Sequence, residues 1–480
     1  MAAVILAGDD RTSGSARSIA EAVRRRQASA EEMALAHLAR IERLDGALGA
    51  FQVVDRERVL ADARAVDADA SRRQGPLAGV PVAVKDNVDV EGLPTRYGSS
   101  ATLRDPAGAD DELVRRLRAA GCVVLGKTRM PELAIWPFTE SAASGVTRNP
   151  WSPERTAGGS SGGSAVAVAA RMAALALGSD GGGSIRIPAA CCGVFGFKPA
   201  PGSFSLPRGA ESHWLGLSAF GPLARTVEDA ALMLDILAGH PPRPPPSSPG
   251  PLRIAVSTKP TVPGARIDRE VAASVEEVAR LLREAGHSLS QADPPYPADG
   301  GIRFSRRWLP GIAGDAEGLD PAKLEPRTRK MARAGRLIRH LGLAAPVSSD
   351  PLGARMRAWF ADRDLLVMPA LATAPVPHQR WSKGWMRTTL GVASWIQTAI
   401  WNLAGFPAAA LPVALSRERL PLAVQLVAPP GSEEKILAVA RQLSELVKFP
   451  AWTPPWTSGA PTRSGTCARS AASTEPCARR

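Results

Sequence analysis

The sequence predicts a layered α/β protein, because segments typical of helices alternate with short apolar runs typical of buried strands. A helical pattern near residues 29–41 precedes the apolar run 80–84, and an amphipathic helix predicted over 110–121 precedes the strand-like run 122–126. The same order returns after residue 250, with a strand predicted at 253–256 and a helix at 271–286. Such alternation is typical of a sheet covered by helices.

The first helix is predicted from its start signal and its apolar face. Ser29 and Glu32 have the spacing of a capping box, in which two side chains satisfy free N–H groups of the first turn. Ala34, Leu38 and Ile41 follow at helical spacing. The later run 80–84, Val-Pro-Val-Ala-Val, is predicted as a strand, and it ends abruptly in the polar residues 85–87.

In the second half of the chain, the sequence signals for helices and strands are less regular. The proline-rich segment 240–251 cannot form a helix or a central strand, so we predict a surface connection there. Residues 300–400 give no clear pattern and are expected to be irregular. They and the following residue carry six tryptophans, which either pack in the core or line a substrate pocket: Trp308, Trp359, Trp381, Trp385, Trp395 and Trp401. Residues 458–480 lack apolar periodicity and are predicted to be a disordered tail.

Composition places the 480-residue chain among ordinary globular proteins, with 45% hydrophobic and 22% charged residues. No window approaches the roughly 20 apolar residues that a membrane helix needs, and the N-terminal apolar run is too short for a signal peptide. The five cysteines are odd in number and lack a Cys-x-x-Cys pair, and the six histidines show no metal-ligand spacing. We therefore predict a cytoplasmic protein that binds neither a metal nor a cofactor and does not contact membranes.

The net charge of +13 raises the alternative of a nucleic-acid partner. However, the chain has 50 arginines and only 9 lysines, and a general bias towards arginine gives the same excess without any polyanion. One basic cluster has helical spacing: Arg327, Lys330, Arg333, Arg336 and Arg339. We interpret it as a solvated helix face, so nucleic acid is disfavoured as a partner.

Two clusters of glycine and serine, at 158–165 and 178–188, are candidate functional loops. Runs of this kind are often flexible linkers, but both are embedded in strongly apolar sequence, where a linker would leave unpaired backbone groups. Glycines there more readily allow the backbone to approach a ligand. The order of a phosphate-binding loop is absent, and so is the Gly-x-Ser-x-Gly elbow of other serine hydrolases. A helix is predicted over 166–175, directly after the first cluster.

Together with the upstream segment 79–87, Gly-Val-Pro-Val-Ala-Val-Lys-Asp-Asn, these clusters resemble the three catalytic motifs of the amidase-signature family. The spacings match as well, with 75 residues from Lys85 to Ser160 and 24 from Ser160 to Ser184. Segments 195–199, 221–226, 402–407 and 421–426 also resemble family motifs. The resemblance implies one catalytic domain over 1–457, with a mixed β-sheet sandwiched between α-helices and a variable substrate region at about 240–390.

The resemblance also implies a mechanism. Ser184 would attack the amide carbonyl and form an acyl-enzyme, Ser160, with a cis peptide bond before it, would relay the proton, and Lys85 would be the base. Lys85 must be neutral for this role, so its pKa must be lowered, which burial would do. The oxyanion hole would be formed by N–H groups of Ser184 and three glycines, and three further residues would support the loop. These residues are Gly181, Gly182 and Gly183 for the oxyanion hole, and Ser161, Asp180 and Arg186 for support.

The expected activity is hydrolysis of a small-molecule carboxylic amide to an acid and an amine or ammonia. Two alternatives stay open: the glutaminase subunit of a tRNA-dependent amidotransferase, and an inactive member of the family that acts as a binding protein. Segment 205–222 departs from the stretch typical of that glutaminase and favours a stand-alone amidase. The chain also departs from the family at Gly181, where Thr or Ile is usual, and at Tyr97, which is expected to narrow the site. A homodimer is left open, and so is the identity of the amide.

Overall fold

The computed structural model describes residues 10–204, 213–381, 384–449 and 452–457. The predicted tail, 458–480, lies outside these residues. The strands are β1 (Phe51–Val53), β2 (Pro81–Lys85), β3 (Val123–Thr128), β4 (Glu140–Ser141), β5 (Gly145–Val146), β6 (Arg148–Asn149), β7 (Ser152–Thr156), β8 (Leu175–Asp180), β9 (Phe195–Lys198), β10 (Ala219–Ala224), β11 (Arg253–Val256), β12 (Ser288–Gln291), β13 (Leu365–Pro369), β14 (Ala408–Leu415) and β15 (Pro421–Val427).

The helices alternate with these strands along most of the chain. They are α1 (Ala16–Arg24), α2 (Ala30–Leu48), α3 (Arg56–Ala68), α4 (Ala70–Arg73), α5 (Glu112–Ala119), α6 (Gly162–Ala169), α7 (Arg186–Cys192), α8 (Val227–Ala238), α9 (Arg269–Glu284), α10 (Gly300–Asp315), α11 (Pro326–His340), α12 (Leu352–Trp359), α13 (Trp385–Trp395), α14 (Ala399–Leu403) and α15 (Glu433–Leu446). Within the described residues, no helix is both long enough and apolar enough to cross a bilayer.

Eleven strands of the described residues form one mixed sheet in the order β1-β3-β2-β8-β10-β9-β14-β15-β13-β11-β12. β2 runs parallel to both β3 and β8, whereas β10, β9, β14 and β15 pair antiparallel with their neighbours. Because β2 and β8 are parallel neighbours, their carboxyl ends meet at the same edge of the sheet. Lys85 and Asp180 are the last residues of these two strands, so the topology brings them together.

The sheet buries both of its faces. On β2, Val82 and Val84 belong to one apolar cluster, shared with α1, α5, α8, α9 and α15, whereas Ala83 belongs to a second cluster, shared with α2, α3, α6 and α7. Successive side chains of a strand point to opposite faces, so one apolar run serves both layers. The predicted fold class, a mixed sheet sandwiched between helices, is confirmed.

Several local predictions are confirmed as well. The capping box is present: Glu32 N–H donates to Ser29 Oγ at 3.0 Å, and Ser29 N–H donates to Glu32 Oε2 at 2.9 Å. The proline-rich segment 240–251 is mostly exposed and has no regular structure over 240–250. The basic cluster lies on α11, where Lys330, Arg333 and the two following arginines are exposed.

Two local predictions are wrong. The helix expected over 166–175 is α6, which starts at Gly162 and ends at Ala169, because the chain turns at Arg171 with φ +57° and enters strand β8 at Leu175. A run of alanine and valine suits a buried strand as well as a helix, so its composition could not fix the boundary. The described part of residues 300–400 is not irregular but contains four complete helices, the start of α14 and strand β13. Pro310 inside α10 and the paired glycines at its start obscure the helical pattern.

Candidate active site

Lys85 ends strand β2, and its side chain is fully buried. Its Nζ lies 2.7 Å from Ser160 Oγ, 2.8 Å from Ser179 Oγ and 3.3 Å from the Ser179 carbonyl oxygen. Burial lowers the pKa of Lys85 to about 7, against a smaller opposing effect of the Asp180 carboxylate. Near neutral pH, a large fraction of the molecules therefore carries an uncharged amine at this position.

The hydrogen bonds around Lys85 suit an uncharged amine, which has two N–H donors and one lone pair. In the structure Lys85 Nζ donates to Ser160 Oγ and to the hydroxyl and carbonyl oxygens of Ser179; an uncharged amine can keep its two N–H bonds to Ser179 and use its lone pair to accept the proton of the Ser160 hydroxyl. Asn87 Nδ2 also donates to Ser179 Oγ at 3.0 Å and helps to fix that hydroxyl. Sequence reasoning did not single out Ser179, although it lies inside the second glycine-serine cluster.

Ser160 is fully buried and lies two residues before helix α6. The Gly159–Ser160 peptide bond is cis, as the family resemblance implies. A Cβ at Gly159 would lie 2.7 Å from the backbone nitrogen of Phe138, so glycine allows these two segments to approach each other. The Ser160 hydroxyl lies at hydrogen-bond distance from Lys85.

Ser184 ends the glycine loop that follows β8, is 9% exposed and lines a pocket. The N–H of Ser161 donates to the Ser184 carbonyl oxygen at 3.1 Å, which ties the two serine loops together. The Ser160 hydroxyl is hydrogen-bonded to Lys85 and not to Ser184. A proton relay between the two serines therefore requires them to approach each other when substrate binds, and catalytic hydrogen bonds commonly tighten in this way.

The backbone of the glycine loop offers several N–H donors. Gly183, with φ +124°, donates its N–H to Asp180 Oδ1 at 2.6 Å, so in this structure that N–H is not free for the role in the oxyanion hole that was predicted for it. Among the described residues, the N–H groups of Gly181, Gly182 and Ser184 have no hydrogen-bond acceptor. These three groups are therefore available to a negatively charged oxygen formed next to Ser184.

Asp180 and Arg186 form a fully buried bidentate ion pair, with Nε to Oδ2 and Nη2 to Oδ1 both at 2.9 Å. Asp180 Oδ2 also accepts from the Ile185 N–H at 3.2 Å. Burial by itself would raise the pKa of Asp180, but the Arg186 guanidinium holds that pKa below its usual range. The carboxylate stays ionised and anchors the loop that carries Ser184.

Three residues from the C-terminal part of the chain complete the environment of Arg186. Its Nη1 donates to the Thr398 carbonyl oxygen at 3.0 Å and to Gln425 Oε1 at 2.6 Å, and its Nη2 donates to Asn402 Oδ1 at 2.5 Å. The Thr398 hydroxyl donates to the Gly182 carbonyl oxygen at 2.7 Å. Sequence reasoning gave these residues no role, although Asn402 and Gln425 belong to segments that resemble family motifs.

An apolar pocket opens at Ser184 and contains about 950 Å³ of empty space, its open mouth included. Its aromatic wall is formed by Trp136, Trp214, Phe304 and Trp308. None of the described residues that line it has a charged side chain. A pocket of this kind suits a neutral, largely apolar ligand.

The tryptophans of residues 300–401 divide between the two roles considered for them. Trp308 lines the pocket, whereas Trp381, Trp385 and Trp395 pack into apolar clusters and do not line it. Tyr97, which was expected to narrow the site, is also not among the lining residues. The other two tryptophans of the wall, Trp136 and Trp214, lie outside residues 300–401, whose tryptophans were considered as pocket residues.

The structure brings the predicted site residues into one region. Lys85 is hydrogen-bonded to Ser160, and the Ser161 N–H donates to the Ser184 carbonyl oxygen. The Asp180–Arg186 ion pair anchors the loop that contains Gly181, Gly182 and Gly183.

Known proteins resemble this chain over most of its length. A family model for amidases matches residues 32–316 and 325–437. The chain is 46% identical over 426 residues to a putative amidase of Mycobacterium tuberculosis, AmiB2, covering 85% of this chain and 90% of that protein. It is 35% identical over 467 residues to one of the subunits of the glutamyl-tRNA(Gln) amidotransferase of Thermus thermophilus, covering 90% of this chain and 96% of that protein.

Among solved structures, 6-aminohexanoate cyclic dimer hydrolase superposes with a TM-score of 0.82 at 29% identity, covering 93% of this chain and 99% of that chain. The family match spans most of the chain and contains Lys85, Ser160 and Ser184. The chain therefore belongs to the amidase-signature family, and it is an amidase that hydrolyses carbon–nitrogen amide bonds.

Proposed function

We propose that this amidase hydrolyses neutral amides with an apolar substituent through an acyl-enzyme on Ser184. In the first step, Ser184 Oγ attacks the amide carbonyl carbon, its proton passes to Ser160, and the Ser160 proton passes to Lys85. The carbonyl oxygen becomes negatively charged and is bound by the free N–H groups of the glycine loop. The carbon–nitrogen bond then breaks, and the proton returns through Ser160 to the leaving amine.

In the second step, a water molecule replaces the amine. It loses its proton along the same relay and adds to the acyl carbon, the bond from that carbon to Ser184 Oγ breaks, and the proton returns to Ser184. The products are the carboxylic acid and the regenerated enzyme. Asp180 and Arg186 take no part in bond making and position the loop, because each is occupied by the other.

The observation that carries this proposal is the environment of Lys85. A serine hydroxyl is a weak nucleophile until a base takes its proton, and a protonated lysine cannot act as a base. Here the pKa of Lys85 is lowered to about 7 by burial, and its Nζ lies within hydrogen-bond distance of Ser160 Oγ, so the uncharged amine can accept the Ser160 proton. A surface lysine would be charged at neutral pH and would not serve.

The apolar pocket supports the substrate class. Hexanamide has four more methylene groups than acetamide, and each buried methylene contributes about 0.8 kcal/mol. We therefore expect kcat/KM for hexanamide to exceed that for acetamide by well over tenfold. Glutamine should be a poor substrate, because its ammonium and carboxylate groups find no charged partner among the described lining residues.

The test is a panel of acetamide, hexanamide, benzamide and glutamine with the wild-type enzyme and Ser184→Ala. The variant should lose turnover of every amide while its melting temperature stays close to that of the wild type. Turnover by Ser184→Ala near the wild-type rate would refute the nucleophile assignment. Glutamine as the best substrate would favour the role in a tRNA-dependent amidotransferase, which the 35% identical relative keeps open. No turnover of acetamide, hexanamide or benzamide would refute the proposed substrate class.

We also infer a cytoplasmic location, one catalytic domain over 1–457 and a small amide as the partner. The three described cysteines, Cys122, Cys191 and Cys192, are free and buried, which suits a reducing compartment. Nucleic acid stays disfavoured, since Arg327 of the basic cluster packs over the rings of Trp136 and Phe138, at 5.3 Å from each. Cell fractionation, retention on immobilised tRNA at low salt and light scattering would test location, nucleic-acid binding and a homodimer.

A further inference from the structure

The indole ring of Trp214 lies directly against the glycine loop of the active site. A Cβ built on Gly181 would lie 2.7 Å from Trp214 Cε3 and 2.8 Å from Trp214 Cζ3, closer than real Cβ contacts allow. The φ of Gly181 is not in the left-handed region, so backbone conformation does not require glycine there. The space taken by the indole does require it.

A second glycine makes room on helix α10. A Cβ at Gly311 would lie 2.7 Å from Trp214 Cγ and 2.9 Å from Trp214 Cα. Gly311 lies inside a helix, where glycine is less favourable than alanine. Its presence there is explained by the close approach of Trp214.

Polar contacts then fix the orientation of the ring. Trp214 Nε1 donates to Asp315 Oδ2 at 2.7 Å, and the imidazole of His213 stacks on the indole with ring centres 5.2 Å apart. His213 is itself hydrogen-bonded to Asp315 at 3.1 Å and to Ser218 at 2.6 Å. The backbone of Trp214 and Leu215 adopts left-handed φ values of +52° and +56°, a conformation that persists only where the surroundings enforce it.

We propose that Trp214 is a specificity-determining residue, whose clamped ring contacts the apolar group nearest the scissile carbonyl. Its ring lies on Gly181, and the same ring lines the pocket that opens at Ser184. A substrate group that extends from the carbonyl into the pocket therefore contacts this ring as part of the aromatic wall. Asp315 is a positioning residue, because it holds Trp214 and His213 by hydrogen bonds and does not itself line the pocket. This inference rests on the proposed function and names the wall that selects the substrate.

The test is a double-mutant cycle of Trp214→Ala and Gly181→Ala, with benzamide and acetamide as substrates. The readout is the ratio of kcat/KM for benzamide to kcat/KM for acetamide. Trp214→Ala should lower this ratio by about tenfold, since it removes most of one aromatic wall. Gly181→Ala should lower it similarly, because the methyl group displaces the indole. In the Trp214→Ala background, the same methyl group should change the ratio far less, which is a coupling of about tenfold.

Conservative variants separate selection from folding. Trp214→Phe should recover part of the ratio, and Asp315→Asn, which keeps an acceptor for Nε1, should retain more of it than Asp315→Leu. Melting temperatures identify variants that fail to fold. Equal losses for both substrates, or additive effects of Trp214→Ala and Gly181→Ala, would overturn the inference while leaving the proposed function standing. A wild-type enzyme that does not favour benzamide, or an active Ser184→Ala, would instead overturn the proposed function, and the inference with it.

Discussion

The dependence of activity on pH follows directly from the burial of Lys85. Its pKa is lowered to about 7, and only the uncharged amine can accept the proton of Ser160. The neutral fraction rises with pH, from about 9% at pH 6 to about 91% at pH 8 for a group with this pKa. We therefore expect kcat/KM to rise about tenfold over this interval and to level off above pH 8. A lysine with its ordinary pKa of about 10.4 would give a rise of about a hundredfold with no plateau.

The assay is kcat/KM for a neutral amide such as hexanamide, whose own ionisation does not change between pH 5.5 and 9.5. A matched control is available, because burial also lowers the pKa of Lys198 to about 7, yet Lys198 Nζ donates to the Pro199 carbonyl oxygen at 2.9 Å and lies outside the proposed relay. Lys198→Met should keep the midpoint near pH 7, and Lys85→Met should abolish turnover at every pH. A flat profile, or a midpoint that disappears in Lys198→Met, would refute the assignment of Lys85 as the base.

Four further outcomes are expected. Ser160→Ala should lower kcat by at least about a hundredfold, the range of general acid–base catalysis, with an unchanged melting temperature; a smaller loss would show that Lys85 reaches Ser184 by another route. Thr398→Val keeps the shape of the side chain but removes the hydrogen bond to Gly182, worth about 1 kcal/mol, so kcat/KM should fall about fivefold, and an unchanged value would contradict a role for Thr398 in holding the loop. EDTA should not reduce activity, because the described residues contain no group of three or more His, Cys, Asp or Glu side chains arranged to hold a metal; a loss that zinc restores would contradict this. Deletion of 458–480 should leave activity and melting temperature unchanged, and a drop in either would show that this segment packs on the catalytic domain.

Elements whose signals are local could be predicted from the sequence. The capping box of α2 depends on residues three positions apart, and strand β2 depends on one short apolar run, so both are visible in a single window of sequence. The end of α6 and the helices between 300 and 400 are different. Alanine and valine suit both helix and buried strand, and α10 forms despite an internal proline and the two glycines at its start. Packing against the rest of the molecule decides these elements, and no window of sequence contains that information.

The candidate site divides in the same way. Lys85, Ser160 and Ser184 could be proposed because each lies in a short motif and the spacings between the motifs match a known pattern. Ser179 could not be proposed in this way. Its hydroxyl accepts hydrogen bonds from Asn87 and Lys85, which lie 92 and 94 positions earlier in the chain. The contacts of Arg186 span even greater distances, up to 239 positions to Gln425. The contacts of Ser179 result from the parallel pairing of β2 with β8. The contacts of Arg186 result from the order of strands across the whole sheet.

The contact between Trp214 and Gly181 shows why substrate preference was the hardest property to predict. Taken alone, Gly181 indicates a more flexible loop, because glycine has no side chain to restrict it. In the structure the missing side chain has the opposite consequence, since an indole from 33 positions later in the chain occupies the space and is held by Asp315 of helix α10. A glycine at position 181 is therefore compatible with either a loose oxyanion loop or a tightly covered one. Trp214 decides between them, and no local sequence pattern connects Trp214 to Gly181. The double-mutant cycle distinguishes these cases, because a loose loop would leave the effects of Gly181→Ala and Trp214→Ala independent, whereas a covered loop makes them depend on each other.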